Sequence, residues 1–501
     1  MGRGWCCRVS RMVSGLEHLF GGRQLPGEVA ASEHSAASES ARGELPLESR
    51  EHWLVLSYWA NVDGMACSHH IDDRLKHLRR LGVEPEVITG TCGPRPRGWA
   101  GRWHRVPSVT ATGYQFEVRQ LTRPMRKPWR RLVRLLLTLP VLPLYSMEKH
   151  VARLHSTFGW CISAAAVGVW ATRNERHGLI YSTGGEMSAH VAAALVARVR
   201  RLPWVAEMQD PIVYQGFGHS HFSRHVARWV EKLVHSQATA VVYVTKAAAR
   251  RATLRTKGRA PCLMIRPGAE LPGGGRHVTR NDRMELVHVG TLAGKRNPGA
   301  LLEALGRVAE RRPSIVREVR LSLVGNVDRR CRAMVKRFRQ LEIVRLTGKV
   351  SRREAMSLVS SADLLLVVQH QGTVSEETIP SKTYDYLVSG RAVLGLTFRN
   401  AELAELLRER GHYSAEADDV AGIEALLERA YDRWREGRLR VEPCLDYTVG
   451  RATEELVGWA RGLCAEGRLS ADAAGPAAQQ ASTMEATVST GTGGPGGGGG
   501  R

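Results

Sequence analysis

From His52 onward the apolar positions follow two alternating patterns. Short blocks such as Trp53-Leu54-Val55-Leu56 are continuously apolar, as in strands covered on both faces, and the runs between them repeat every 3.6 residues as helices do. Residues 53–58 read as a buried strand and 61–68 as a loop. A helix follows, with Ile71, Leu75, Leu78 and Leu81 on one side and Gly82 at its end. Residues 83–89 are the next strand and complete a βαβ unit of the doubly wound kind. The alternation resumes with strand 178–183, helix 188–201, strand 203–208, helix 222–236 and strands 239–245 and 262–265.

Pro272-Gly273-Gly274-Gly275 reads as a hinge, after which the alternation restarts. Strand 285–289, loop 290–297 and a helix opened by Pro298 come first. Strand 319–324, helix 329–341, strand 343–346, helix 352–360 and strand 363–368 continue it, and Ser351 with Glu354 forms a capping box. Strand 392–396, helices 401–410 and 420–434 and a last helix at 449–464 end the ordered chain. The expected division is a leader over 1–50, a first Rossmann-like domain over 51–275, a second over 276–440, a C-terminal helix over 441–467 and a Gly-rich tail over 468–501. Two βα halves joined by a hinge imply a cleft, where open α/β sheets take their ligands.

Charge narrows the partners. The 501 residues carry a formal +23, which suits anions. Between Arg123 and Leu144 the basic residues Arg126, Lys127, Arg130, Arg131 and Arg134 interleave with Trp129 and a row of leucines. That mixture fits a segment lying on an anionic membrane, or a helix packed on its own domain with solvated arginines. Nucleic acid is not expected, because aromatic residues are too sparse here for a stacking platform. Nine cysteines without a Cys-x-x-Cys pair argue for reduced thiols in the cytoplasm. No secretory signal is visible, and the run 132–147 is broken by Arg134, Pro140 and Pro143, so the expected location is cytoplasmic and at most peripheral on the inner face of the membrane.

The densest candidate chemistry lies in 375–393, where Glu377 and Asp385 flank Pro380-Ser381-Lys382-Thr383. Pro380 favours an extended entry, Ser381 is placed to cap a helix with Tyr384, Leu387 and Val388 on its apolar side, and free N–H groups at such a start attract phosphate. Taken alone, the stretch also reads as an ordinary loop-to-helix junction.

These residues resemble the retaining glycosyltransferases of the GT-B fold, in the family 4 group of bacterial polysaccharide and lipopolysaccharide assembly. The resemblance spans about 52–465. The family pairs two acidic residues with seven residues between them, as Glu377 and Asp385 have, and one branch carries a Pro-Ser-Lys turn before an acidic-Tyr-Leu helix. The resemblance implies that Asp385 holds the ribose of a nucleotide-sugar donor, that Glu377 faces the transferred hexose, and that the N–H groups of Ser381, Lys382 and Thr383 receive the diphosphate. Asp385 is one methylene shorter than the usual glutamate. In Gly290-Thr291-Leu292-Ala293-Gly294-Lys295-Arg296, Arg296 matches the family's diphosphate-binding basic residue, and Thr291 stands where many members have arginine, so that one phosphate contact is missing or replaced by Lys295; the alternative for Lys295 and Arg296 is a solvated loop pair.

In the first half, His190 has two readings, a contact to sugar or acceptor and simple packing. Asp210, before Pro211, is either a turn former or an acceptor contact, and Asp63 and Gly64 sit in the loop that closes over acceptor or diphosphate. The implied partners are a nucleotide sugar and a saccharide or lipid-linked acceptor. No Asp-x-Asp occurs, so neither a metal nor another cofactor is expected. The rival readings are a sugar-nucleotide epimerase on the same scaffold and a non-catalytic sugar- or membrane-binding subunit.

Overall fold

Both halves build parallel sheets. The computed structural model describes residues 50–62, 65–150, 157–174, 176–214, 221–258, 260–271, 282–338 and 342–465. The leader, Asp63 and Gly64, the Gly-rich hinge at 272–275, the end of helix 329–341 and the tail lie outside them. In the first lobe the strands are β1 (Glu51–Leu56), β2 (Val83–Gly90), β3 (Trp103–Val106), β4 (His177–Gly184), β5 (Trp204–Met208), β6 (Ala240–Tyr243) and β7 (Cys262–Met264). They pair in parallel in the order β3-β2-β1-β4-β5-β6-β7. The second lobe has β8 (Met284–Val289), β9 (Val319–Val324), β10 (Val344–Gly348), β11 (Leu364–Val368), β12 (Ala392–Thr397) and β13 (Tyr413–Glu416), in parallel order β10-β9-β8-β11-β12-β13. Each order reverses once, between β1 and β4 and between β8 and β11. The loops there leave in opposite directions and open a crevice beyond the strand ends.

The first-lobe helices are α1 (Ala66–Arg80), α2 (Ala111–Leu121), α3 (Lys127–Thr138), α4 (Leu142–His150), α5 (Trp160–Ala171), α6 (Met187–Arg200), α7 (His221–Gln237) and α8 (Lys246–Thr256). The later helices are α9 (Gly299–Arg311), α10 (Pro313–Arg317), α11 (Arg329–Arg337), α12 (Arg352–Ser361), α13 (Lys382–Val388), α14 (Ala401–Glu409), α15 (Val420–Arg435) and α16 (Val449–Ala465). Periodicity does not reveal α5, because Trp-Cys-Ile-Ser-Ala-Ala-Ala-Val-Gly-Val-Trp-Ala is apolar around most of its circumference. Its small residues let it approach α6 closely: a Cβ on Gly168 would lie 2.7 Å from Val196.

The last helix crosses back. Ala452, Leu456, Val457 and Ala460 of α16 share a buried cluster with Trp53 of β1 and Ile71, Leu75 and Leu78 of α1. Burying each such large side chain contributes about 1.5–3 kcal/mol, so α16 completes the first lobe. The crossing is tied where Ala269 N donates to Tyr447 O at 2.9 Å and Val449 N to Ala269 O at 3.1 Å. Further ties link the lobes. Glu402, in the first turn of α14, accepts from the N–H groups of Lys246 and Ala247 at the start of α8, each at 3.2 Å. Arg352 Nη2 of α12 donates to Asp73 Oδ2 of α1 at 2.6 Å.

Candidate functional site

The loop leaving β8 is pinned before it presents any charge. Gly290, at φ +136°, donates its N–H to Val324 O at 2.8 Å. Gly325, at φ +124°, comes so close that a Cβ there would run into the Gly290 carbonyl, so both positions require glycine. Leu292 is fully buried, and Asp328 accepts from Gly294 N at 2.8 Å while capping α11 through Cys331 N at 2.7 Å. Thr291 is exposed at the start of this loop, and Lys295 and Arg296 follow the pinned turn.

The stretch after β11 is pinned in the same way. Gln369 Nε2 donates to the carbonyls of Ser375 and Thr378 at 2.9 and 2.8 Å, and Asn400 Nδ2 reaches Thr378 O at 2.9 Å. Tyr386 of α13, fully buried, accepts at its OH from Val289 N at 3.0 Å, which ties the helix to the end of β8. Lys382 is thereby carried over Gly290, its Nζ 3.4 Å from His288 Nε2. His288 Nδ1 lies 2.9 Å from Leu366 O; as the donor there, it leaves Nε2 as the acceptor facing Lys382.

Burial, reinforced by Arg296, lowers the Lys382 ammonium to about 7, against the pull of Asp385. Burial also lowers Arg296, with Asp210 of the first lobe opposing. For Asp385, burial pushes the carboxyl up to about 6, and Arg352 and Lys382 draw it back. His370 is lowered by burial and then by Arg296 and Lys295. Lys382, Arg296 and Lys295 therefore form one cationic pocket, with Asp385 at its edge and the imidazoles of His288 and His370, both held toward the neutral form, beside them. The cations repel one another and are short of counter-charge, the condition in which an anion binds best.

From the first lobe, Asp210 faces this pocket. Water reaches its side chain, yet protein on both sides desolvates it enough to raise its carboxyl, while His70 and Arg296 pull it down. Beneath it, Glu207 at the end of β5 is fully buried and accepts from Arg74, Tyr181, Thr183 and His70, the last at 3.0 Å. Burial opposes its charge, but Arg74 and His70 hold the carboxyl below the usual range. His190 lies in packing, 1% exposed, with Nδ1 2.9 Å from Ser182 Oγ and its pKa lowered to about 4 by burial.

Two expectations at the motif are corrected. Ser381 does not cap through its side chain: it already has helical angles, φ −54° and ψ −35°, and a capping side chain needs an extended backbone to fold back. Nor are the N–H groups of Ser381, Lys382 and Thr383 all free for phosphate, because Thr383 N donates to Pro380 O at 2.9 Å. Glu377 is 2% exposed and turned toward the first lobe: Arg251 Nη1 of α8 donates to its Oε1 at 2.7 Å, and Thr245 Oγ1 to its carbonyl at 2.6 Å. Asp63 and Gly64 lie outside the described residues. Nothing local in the sequence marks His288, His370, Arg251 or the Asp73–Arg352 pair. His70 and Arg74 stand four residues apart in sequence, the spacing that places them on one face of α1.

Solved structures share this arrangement of two parallel sheets. Anabaena HepE, solved with UDP and glucose, aligns over 82% of this chain and 99% of its own at 14% identity, with a TM-score of 0.52. TarM of S. aureus aligns over 83% of this chain and 99% of its own at 8% identity and TM-score 0.52. The chain has the GT-B fold. A third structure, an E. coli trehalose-6-phosphate protein bound with UDP-2-fluoro glucose, aligns over 81% and 98% at 10% identity and TM-score 0.50. No protein-family model matches the chain, and no curated protein matches it significantly. Among the described residues, no three His, Cys, Asp or Glu side chains are grouped to hold a metal ion. The positive charge of this GT-B cleft is supplied by Lys382, Arg296 and Lys295.

Proposed function

We propose that the protein is a nucleotide-sugar-dependent glycosyltransferase. It transfers a sugar from a nucleoside diphosphate to a hydroxyl of a saccharide or lipid-linked acceptor, with retention at the anomeric carbon, in cell-surface polysaccharide assembly. The observation that carries the reading is the convergence of Lys382, Arg296 and Asp385 where the strand order reverses between β8 and β11. A diphosphate matches the cations, and a carboxylate accepts two vicinal hydroxyl protons of a ribose. That HepE was solved with UDP and glucose supports the same ligand class and makes UDP the natural probe.

In the reaction, the bond from the anomeric carbon to the diphosphate oxygen breaks and the electron pair leaves with the nucleoside diphosphate. The acceptor oxygen bonds to the anomeric carbon on the same face, and its proton passes to the departing phosphate oxygen. The barrier lies mostly in charge separation, so the preorganised cations Lys382, Arg296 and Lys295 act where negative charge develops. Asp385 fixes the donor. Asp210 approaches from the acceptor lobe, and Glu377 meets the hexose once Arg251 releases it. His190 acts through packing, behind the strand ends.

Titration calorimetry with UDP tests the donor assignment. Asp385→Ala should weaken UDP at least tenfold, the loss of about 1.4 kcal/mol or more of charge-assisted hydrogen bonding. Unchanged affinity would remove Asp385 from the ribose. A screen of nucleotide sugars for slow hydrolysis then identifies the donor, and sugar interconversion without any acceptor would mark an epimerase instead.

A further inference from the structure

Helices α3 and α4 run on through the 3-10 turn Leu139–Val141, whose flanking residues Thr138, Leu139 and Leu142 keep helical backbone angles, and form one bent helical segment of inverted polarity. Trp129, Leu132, Leu135, Leu136, Leu139 and Leu144 are each 46–61% exposed, and α3 buries no residue at all. The buried member is an acid. Glu148 of α4 accepts from Ala111 N at 3.0 Å, Thr112 N at 2.8 Å and Thr112 Oγ1 at 3.0 Å, capping the start of α2. At the other end of α2, Arg134 donates to Thr122 Oγ1 and Arg119 O, both at 2.7 Å. Polar contacts at the two ends of α2 thus hold the segment alongside it with its apolar side facing out. Leu132, Leu135, Leu136 and Leu139 follow the i, i+3, i+4, i+7 spacing of a single helix face.

We infer that this bent helical segment docks on an anionic lipid surface, lying in the interfacial plane with its leucine edge among the acyl chains. Charge selects that occupant. Arg123, Arg126, Lys127, Arg130 and Arg131 accompany the leucines, and Glu148, the single acid between Arg123 and His150, is already used. A second copy of the chain would bring the same arginines against each other with no exposed acid in the segment to neutralise them. The α3 helix, at 12 residues, is only about 18 Å long, and Pro140 and Pro143 break the chain just beyond it. No described helix is long and apolar enough to cross a membrane, so the segment lies on the bilayer, with arginine stems along its surface and guanidinium groups at the phosphates. The α2 helix begins just beyond the carboxyl end of β3, so the Glu148 end of the segment lies at the cleft end of the sheet.

Sedimentation of the full chain with vesicles tests it without any activity measurement. Wild type should pellet with phosphatidylglycerol/phosphatidylcholine vesicles and stay in solution with phosphatidylcholine alone. Arg130→Ala/Arg131→Ala should weaken anionic binding roughly thirtyfold, and Leu135→Ser/Leu136→Ser at least about tenfold. Arg130, Arg131, Leu135 and Leu136 are not buried, so these variants should fold, and unchanged far-UV circular dichroism checks this. The exposed pair Lys336→Ala/Arg337→Ala, of equal charge change on α11, should bind like wild type. Equal sedimentation with neutral and anionic vesicles overturns the proposal, as does a loss in the α11 control matching that of Arg130→Ala/Arg131→Ala. A lipid-free dimer abolished by Leu135→Ser/Leu136→Ser overturns it in favour of self-association.

Discussion

Arg251 of the first lobe donates to Glu377 Oε1 at 2.7 Å and to Glu376 Oε2 at 2.6 Å in the second, so one guanidinium holds both acids that lead into the Pro-Ser-Lys turn. Glu377 Oε2 is buried with no hydrogen-bond partner among the described residues. The pair is a latch: the carboxylate expected at the sugar is held by the opposite lobe.

Removing the latch leaves a buried carboxylate without its cation. Arg251→Ala should therefore lower stability by about 1–3 kcal/mol in urea denaturation, the low end reflecting the half-exposed arginine. Adding Glu377→Gln should recover part of that loss, because a neutral amide is cheaper to bury. Additive losses in the double variant would show that the two side chains do not interact.

Gly290→Ala should damage donor binding by displacement. The new Cβ overlaps Lys382 Nζ, and φ +136° is strained for any L side chain, by about 1–3 kcal/mol. UDP affinity should fall at least tenfold with a lower Tm. Gly290→Ala/Lys382→Ala relieves the overlap, so part of the Tm should return while UDP affinity stays low. Full UDP affinity in Gly290→Ala would contradict the placement of Lys382.

The pH profile of UDP binding should have two limbs. Below about 6 Asp385 gains a proton and loses acceptor capacity for the ribose, so affinity falls as pH drops. Above about 7 Lys382 loses its proton and its attraction for the diphosphate, so affinity falls as pH rises. Lys382→Arg, which stays charged, should remove the alkaline limb and keep the acid one. A flat profile between pH 5 and 9, measured by calorimetry, would contradict both assignments.

The strand and helix alternation from Trp53 onward could be read from the chain because each buried strand is a local apolar block and each amphipathic helix repeats locally. Where the period vanishes, as in the all-apolar α5, or where the element is short and half-exposed, as in β3, the pattern is silent. At the site, Asp385, Lys382 and Arg296 stand out in the sequence because they belong to compact motifs. His288 does not, since a histidine inside a strand looks like any other until the fold sets Lys382 beside it.

By itself, then, the sequence determined two βα halves, the acidic pair at Glu377 and Asp385, the cationic loop after β8 and the arginine-leucine segment at 123–144. Only the tertiary structure decided that Glu377 is latched by Arg251, that Asp73 meets Arg352 across 279 positions of chain, that α16 returns to the first lobe, and that the leucines of α3 face outward. The division has a physical cause. Propensity and periodicity act over a few residues, while charge pairing and burial depend on which distant surfaces the packed sheets bring together.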